Sequence, residues 1–327
     1  MSWNPNSGRS TKSRFHADLN EYVANWFSTP TEHSDVVDIV LERPCACGSC
    51  LGEAFRTTRY GRVFGPVYWG ETTLASYAGW DRLIASERAT AEERLILVAM
   101  SENEGKMDAV QSYDSEILTA GAMQKTINPE GGGEFPKQVL EFKHDHPKLH
   151  EKLFSKCGWE VSADDEPTMR YQGMTGAALK LFIRDGFTEE NFRTSARKRS
   201  PPLAAVVNAI TTMEFQEKQV VDFIGRLRKV MEIKPHGSSS RAIGDYVKSN
   251  FGKAALLDQH VNRPGYVSRD FGKALKLFHT GNPDAPKAPE QWNEQHSANE
   301  AKLLDIYGDL REMTDSTKRF EALRKKL

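Results

Sequence analysis

The sequence predicts a mainly helical α+β protein, in which a helical domain carries a small β-hairpin region beside a cleft. Apolar residues recur at helical spacing over most of the chain beyond Thr73. Short runs of β-forming residues bounded by Gly and Pro occur before that point and again near residue 120. With 327 residues, 39% of them hydrophobic, the chain is long enough for one large domain or two unequal ones.

Charge and hydropathy give no support for two classes of partner, nucleic acid and membrane, and neither is expected. The 44 basic and 45 acidic residues give a formal net charge of −1, so no overall field attracts the chain to nucleic acid or anionic lipid. No apolar run approaches the ~20 residues that cross a bilayer. Residues 1–16 lack the apolar core of a secretory signal, which predicts synthesis in the cytoplasm without signal-directed export.

The N-terminal part is predicted to be irregular. Residues 1–14 are polar and expected to be disordered, and residues 15–72 are expected to form a mixed α/β extension with a short helix near Ala17 to Trp26. The aromatic, glycine-rich run from Tyr60 to Gly70 predicts one or two hairpins packed on the main body. A sugar-stacking surface is the less favoured alternative, because aromatic faces suit the apolar faces of sugars.

Two long apolar patterns predict buried helices. Thr90, followed by two glutamates, is typical of a helix start, and residues 95–100 are apolar on every side, which predicts a helix at the centre of a domain. A second pattern runs over residues 203–227, and further helices are expected around 243–251 and 254–261.

The C-terminal part is predicted to be a linker and one helix. Residues 281–290 are proline-rich, and residues 291–327 have apolar positions that step by three and four. This predicts an amphipathic helix that packs on the domain or on a partner.

Cysteine and histidine clusters give weak metal signals. Cys45, Cys47 and Cys50 lie within six residues, so they form either a partial zinc site or, as the spacing favours, free or transiently oxidised thiols. Cys157 is more than a hundred residues away. The histidines of the run from His144 to His150 lie in a lysine-rich stretch and are expected to be solvated. No metal or cofactor is expected.

The stretch from Ser101 to Gln124 contains the candidate chemistry. A carboxylate at the C-terminal end of a buried helix has its pKa raised by desolvation and by the negative end of the helix dipole. The β-like run from Ile117 to Ala122 is expected to return a second carboxylate across a cleft. A protonated and an ionised carboxyl around one bond are what glycoside hydrolysis requires.

The motifs in this stretch resemble the lysozyme-like superfamily. S-E-N-E-G followed by G-A-M-Q is similar to goose-type lysozymes and soluble lytic transglycosylases. The run from Ser101 to Gly121, with a Glu-Asn step and an Asp seven residues before the Gly of a T-A-G turn, is similar to bacterial chitosanases. The resemblance implies that Glu102 is the general acid, that Asp114 is the general base and that Thr119 holds the attacking water.

Phage-type lysozymes give a competing register that implies Glu104 as the acid and again places Asp114 about ten residues on. Glu102 is favoured because its downstream spacing fits without gaps. The resemblance is strong from Gly79 to Gln124, but it departs from the family pattern at Asn103 and Ala122, which leaves the subfamily open.

Further residues are expected to bind sugar. These are Tyr113 and Gln124 beside the carboxylates, and Asp258, His260, Asn262 and Arg263 on the far cleft wall. For the second group an equal alternative is a helix C-terminus stopped by Pro and Gly.

The resemblance implies a lysozyme-like catalytic domain at residues 73–280. The expected activity is that of an inverting muramidase, which cleaves the β-1,4 bond between N-acetylmuramic acid and N-acetylglucosamine in peptidoglycan glycan strands. The alternatives are a chitosanase, a lytic transglycosylase and a non-catalytic wall-binding or phage structural module. Without a signal peptide, action at the cell wall or periplasm implies delivery by a secretion-system or phage-tail component, and an inhibitor protein is a further expected partner.

Overall fold

The computed structural model describes residues 54–101, 104–237 and 240–327. In these ranges the protein is mainly helical with antiparallel sheets, which confirms the predicted class at this coarse level. The helices are α1 (Trp80–Ala85), α2 (Ala91–Ser101), α3 (Glu134–Asp145), α4 (Pro147–Leu153), α5 (Gly176–Arg184), α6 (Glu189–Thr194), α7 (Pro201–Ile210), α8 (Met213–Glu232), α9 (Ile243–Tyr246), α10 (Asn250–Asn262), α11 (Val267–Gly281), α12 (His296–Leu310) and α13 (Ser316–Arg324). The strands are β1 (Ala54–Tyr60), β2 (Val63–Tyr68), β3 (Val110–Gln111), β4 (Leu118–Ala120), β5 (Lys125–Ile127), β6 (Trp159–Val161), β7 (Met169–Tyr171) and β8 (Arg197–Arg199).

The expectations for residues 1–14, for the helix near Ala17 to Trp26 and for Cys45, Cys47 and Cys50 lie outside the described residues. None of the described helices is long and apolar enough to cross a membrane.

The main sheet has six strands in the order β5-β4-β3-β2-β1-β8. Val67 and Tyr68 of β2 pair with Gln111 and Val110 of β3, so the β1–β2 hairpin is continuous with the predicted hairpin region near residue 120. The boundary placed at residue 72 therefore does not separate an extension from the main body. Local patterns could not show this, because the pairing joins residues more than forty positions apart.

The two faces of this sheet differ in chemistry. Residues that pair directly across antiparallel strands share a face. Val110, Leu118 and Ile127 lie on one face and belong to a hydrophobic cluster that includes residues of α3, α5 and α7. The opposite face carries the register row Val67, Gln111, Thr119 and Thr126, and we call it the polar face.

A second hydrophobic cluster is built by helices. It includes buried residues of α2, α8, α10, α11 and α12, and the long helix α8 joins the two clusters, since Phe215 lies in the first and Phe223 in the second. Helix α2 buries Leu97 and Met100 but leaves Leu95 49% exposed. The predicted burial of α2 on every side is therefore wrong at Leu95, and this helix has one solvent-facing position in its apolar run.

Two predicted helices are each interrupted. The pattern over 203–227 forms α7 and α8, which are separated at Thr211 and Thr212, whose hydroxyls donate to the backbone carbonyls of Asn208 and Ala209. The segment 291–327 forms α12 and α13 instead of one helix, with Asp315 in the left-handed region at φ 50°. Both pack on the domain, α12 against α11 and α13 against α10.

The predicted linker at residues 281–290 lies against the body of the protein. Pro289 is buried, and the indole N–H of Trp292 donates to the carbonyl oxygen of Pro286 at 2.7 Å. The prolines thus shape a packed connection between α11 and α12.

Candidate functional site

The buried helix α2 ends at Ser101. We use the name acidic turn for residues 102–105 of the sequence, of which the structure describes Glu104 and Gly105. Glu102, the predicted general acid, lies with Asn103 outside the described residues, between the end of α2 and Glu104.

The G-A-M-Q turn lies against this acidic turn. Gly121 is in the left-handed region at φ 75°, and its N–H donates to the carbonyl oxygen of Ala109 at 2.9 Å. A Cβ at Gly105 would lie 3.2 Å from the carbonyl oxygen of Gly121. The side-chain amide of Gln124 donates to Glu104 Oε2 at 3.1 Å. The two halves of the sequence motif are thus in direct contact.

Glu104 faces the helical part of the protein. Its side chain is only 5% exposed and forms an ion pair with Arg319 of α13. Burial raises the pKa of Glu104, and the positive charge of Arg319 opposes that rise. Arg319 Nε also donates to Asp258 Oδ1 at 3.0 Å, and Arg311 pairs with Asp258 Oδ2 at 3.1 Å. Two carboxylates and two guanidinium groups therefore alternate in one buried network.

The expectation that Asp258 binds sugar is not met, because its carboxylate is fully buried in this network. His260 is 9% exposed, and burial lowers its pKa to about 4. Asn262 and Arg263 are half-buried; the Asn262 side chain accepts from the N–H of Thr314, and Arg263 lies over the ring of Tyr266. Residues 258–262 form the C-terminal end of α10, which packs against α13. This agrees with the alternative interpretation of the stretch as a helix C-terminus. The sequence could not indicate that α13 covers it.

Asp114 lies in the loop that joins β3 to β4. Asp114 is half-buried, and its Oδ1 accepts the N–H of Glu116 at 3.0 Å. Side chains of helix α5 bind the backbone of this loop. Arg184 donates to the carbonyl oxygens of Ser112 at 2.8 Å and Asp114 at 2.5 Å. Lys180 Nζ donates to the carbonyl oxygen of Ser115 at 2.5 Å.

The role of α5 was missing from the sequence interpretation. Burial lowers the pKa of Lys180 to about 8 and that of Arg184 to about 10. Two basic residues four positions apart on one helix were the available signal, but nothing local connects them to a loop some seventy residues earlier.

Thr119 lies in the middle of β4, on the polar face. It is 4% exposed, and its hydroxyl has no hydrogen-bond partner among the described residues.

Tyr113 is half-buried, and its ring lies 6.5 Å from that of Trp69, which is 55% exposed. Burial and the neighbouring Asp114 raise the pKa of the Tyr113 hydroxyl. Trp69 was not among the predicted site residues, although the run from Tyr60 to Gly70 contains it.

Gln219 of α8 fixes the two turns relative to each other. Its side-chain oxygen accepts the N–H of Ala122 at 3.0 Å, and its amide donates to the carbonyl oxygen of Met107 at 2.9 Å. Strand β4 then runs from the G-A-M-Q turn to the Asp114 loop. At a rise of about 3.3 Å per residue, the backbone from Gly121 to Ile117 spans about 13 Å.

Glu104 and Asp114 therefore lie beyond opposite ends of one strand. An inverting mechanism requires about 6.5–9.5 Å between the two catalytic carboxyls, and this separation for Glu102 and Asp114 stays a prediction.

Within the described ranges, no cluster of three or more His, Cys, Asp or Glu side chains could hold a metal ion. His144 is exposed as expected, but His150 is buried against Phe154, with its pKa lowered to about 4 by burial. The expectation of a solvated run is thus wrong at His150, because that residue faces the core from α4.

No protein-family model, no curated protein and no solved structure matches this chain.

Proposed function

We propose that this protein is a lysozyme-type glycoside hydrolase that cleaves the β-1,4 bond between N-acetylmuramic acid and N-acetylglucosamine in peptidoglycan. The observation that carries the proposal is the contact between the acidic turn at the end of α2 and the G-A-M-Q turn. The same sheet places Asp114 beyond the other end of β4. Two carboxylates separated by a short antiparallel strand suit a glycan that crosses the strand.

In the proposed mechanism, Glu102 donates its proton to the leaving glycosidic oxygen. Asp114 accepts a proton from water on the opposite side of the sugar ring, and the oxygen of that water attacks the anomeric carbon with inversion. The Thr119 hydroxyl, which is buried without a described partner, accepts or donates the hydrogen bond that orients this water.

Glu104 is the second candidate for the acid. Its burial and raised pKa favour this role. Its ion pair with Arg319 and its 5% exposure disfavour it, because a general acid has to reach the substrate. We therefore assign Glu104 the role of fixing the acidic turn on α13.

A chitosanase is less well supported than a muramidase. A cationic polymer would require an acidic cleft, for which Asp108, Glu116, Asp258 and Asp270 are the candidates. The three aspartates are buried: Asp108 accepts the backbone N–H groups of Glu71 and Thr72, and the other two bind arginine side chains. Their charge is thus used within the protein, and Glu116, which is half-buried, is the one of the four that has no such partner among the described residues.

The test is mass spectrometry of the products that the purified chain releases from peptidoglycan in ¹⁸O-labelled water. The expected result is ¹⁸O at the new reducing end of N-acetylmuramic acid. A 1,6-anhydro product without the label would indicate a lytic transglycosylase. Label on N-acetylglucosamine would indicate cleavage of the other bond. If a folded chain releases no product, the proposal of a hydrolase is wrong.

A further inference from the structure

Trp69 differs from the other tryptophans that the structure describes. Three of them are buried and donate their indole N–H to a backbone carbonyl oxygen at 2.7–2.9 Å: Trp80 to Leu74, Trp159 to Pro202 and Trp292 to Pro286. Trp69 is 55% exposed, and its indole N–H bonds to none of the described residues. Single exposed apolar residues are common, so the case for a binding surface depends on what surrounds Trp69.

Trp69 directly follows the end of β2, two residues after Val67 of the polar face. Val67 pairs with Gln111 across β2 and β3, and side chains two residues apart along a strand share a face. The ring of Trp69 contacts that of Tyr113 at 6.5 Å with an interplanar angle of 57°. In the antiparallel register, Trp69 and Tyr113 lie beyond opposite ends of the Val67–Gln111 pair, so their rings flank that pair.

The polar groups around these rings are not used within the described structure. The Gln111 amide and the Tyr113 and Thr126 hydroxyls form no hydrogen bond with any described residue, and the buried Thr119 hydroxyl has none either. A buried hydroxyl without a partner costs about 1–3 kcal/mol. Amide and hydroxyl groups beside an aromatic ring are what a sugar requires, since its ring has one apolar face and a rim of hydroxyls.

The backbone that follows Trp69 is held by two side chains from the segment after the acidic turn. The carboxylate of Asp108 accepts the backbone N–H groups of Glu71 and Thr72 at 2.9 Å, and Lys106 Nζ donates to the carbonyl oxygen of Gly70 at 3.1 Å. The residues next to Trp69 are thus tied to the segment that follows Gly105. A rigid aromatic residue loses little conformational freedom when a ligand binds.

We propose that Trp69, Gln111 and Tyr113 form a subsite for one N-acetylhexosamine ring of a β-1,4-linked glycan. The indole stacks on the apolar face of the ring, and Gln111 bonds a hydroxyl or the N-acetyl group. This inference rests on the proposed function, because it supplies the binding surface for the same glycan, beside Asp114.

Binding and hydrolysis are measured separately to test it. The probe for binding is the N-acetylglucosamine hexamer, titrated by calorimetry into the full chain that carries Glu102→Gln. In this background Trp69→Ala is expected to weaken binding roughly tenfold or more, while Trp69→Phe keeps most of the affinity. Leu277→Ala, which changes an exposed apolar residue on α11, is the matched control and should leave affinity unchanged.

Tryptophan fluorescence gives a second reading. The hexamer should shift the emission of the chain to shorter wavelength, and Trp69→Phe should remove that shift while the circular dichroism spectrum stays the same. If the hexamer binds and Trp69→Ala binds equally well, the subsite is wrong although the proposed function stands. If the wild-type chain neither binds the hexamer nor cleaves peptidoglycan, both are wrong.

Discussion

The helical side and the sheet side of the candidate site differ in whether their polar side chains are paired. On the helical side, Glu104, Arg319, Asp258 and Arg311 are buried or nearly so, and each has an opposite charge against it. On the sheet side, the polar face presents Gln111 and Thr119 without partners among the described residues, next to the half-exposed Trp69.

This difference marks the Thr119 hydroxyl as a candidate functional group because of its place on the polar face, since buried groups without a described partner, such as the Thr57 hydroxyl, also occur elsewhere in the protein. Buried polar groups in folded proteins are almost always hydrogen-bonded, because burial without a partner is unfavourable. The fold explains a network in which each charge has an opposite charge against it. The buried Thr119 hydroxyl without a described partner lowers the stability of the protein, and a ligand or water that bonds it, as proposed above, would remove that cost.

The largest expected effect separates the two glutamates of the acidic turn. Glu102→Gln should lower the rate of peptidoglycan hydrolysis by roughly a thousandfold or more, because the amide has no proton to give to the leaving group. The melting temperature should change little. Release of soluble muropeptides measures the rate.

Glu104→Gln is the matched change at the paired position. It should lower stability, since Arg319 loses a charged partner, and it should retain most of the activity at a temperature where the variant is folded. The opposite pattern, with an active Glu102→Gln and an inactive folded Glu104→Gln, would assign the acid to Glu104.

The sequence predicted parts of this site from local chemistry alone. The helix that ends at Ser101, the strand around Thr119 and the turn at Gly121 follow from periodicity and glycine, which are local signals. The partners of Asp258 could not be predicted from local signals, because Arg319 contacts it from α13, sixty-one residues away.

The same limit explains why Trp69 was not among the predicted site residues. Its exposure depends on the pairing of β2 with β3, and its ring partner Tyr113 lies forty-four positions further along the chain. An aromatic residue in a glycine-rich run is usually packed inside, as Trp80 is, so the residue type alone favoured packing.

The helical network is tested by removing its central charge. Arg319→Met should lower the free energy of unfolding by about 3 kcal/mol, because Glu104 and Asp258 then lose the guanidinium that they share. Chemical denaturation measures this change. Arg193→Met breaks an exposed pair with Glu189 on α6 and should change stability by less than about 0.5 kcal/mol. Equal losses in both variants would mean that the buried network has no special role in stability.

A substitution at Asp114 tests the proposed general base, which lies beyond the other end of β4. Asp114→Asn should lower hydrolysis by roughly a hundredfold, because the amide cannot accept a proton from water. Glu116→Gln changes the neighbouring carboxyl on the same loop and should stay close to the wild type. NMR of fresh wild-type digests should show the inverted anomer. A retained anomer would exclude Asp114 as a general base that acts through water.

The smallest expected effect concerns two buried threonines on opposite faces of one sheet. Thr119 lies on the polar face, and Thr57 follows Arg56, the cross-strand partner of Val67, so it lies on the other face. Both hydroxyls are buried without a described partner. Replacing either residue by valine removes an unsatisfied polar group at nearly constant shape, so each variant should gain about 1 kcal/mol in the free energy of unfolding.

The two threonine variants should differ in activity. Thr119→Val should lower the kcat for peptidoglycan hydrolysis by roughly tenfold, because the attacking water loses the group that orients it. Thr57→Val should keep the wild-type kcat, since its hydroxyl faces away from the polar face. A Thr119→Val variant that is more stable and fully active would show that this hydroxyl takes no part in the reaction. The unsatisfied groups of the polar face would then serve binding alone, through Trp69 and Gln111.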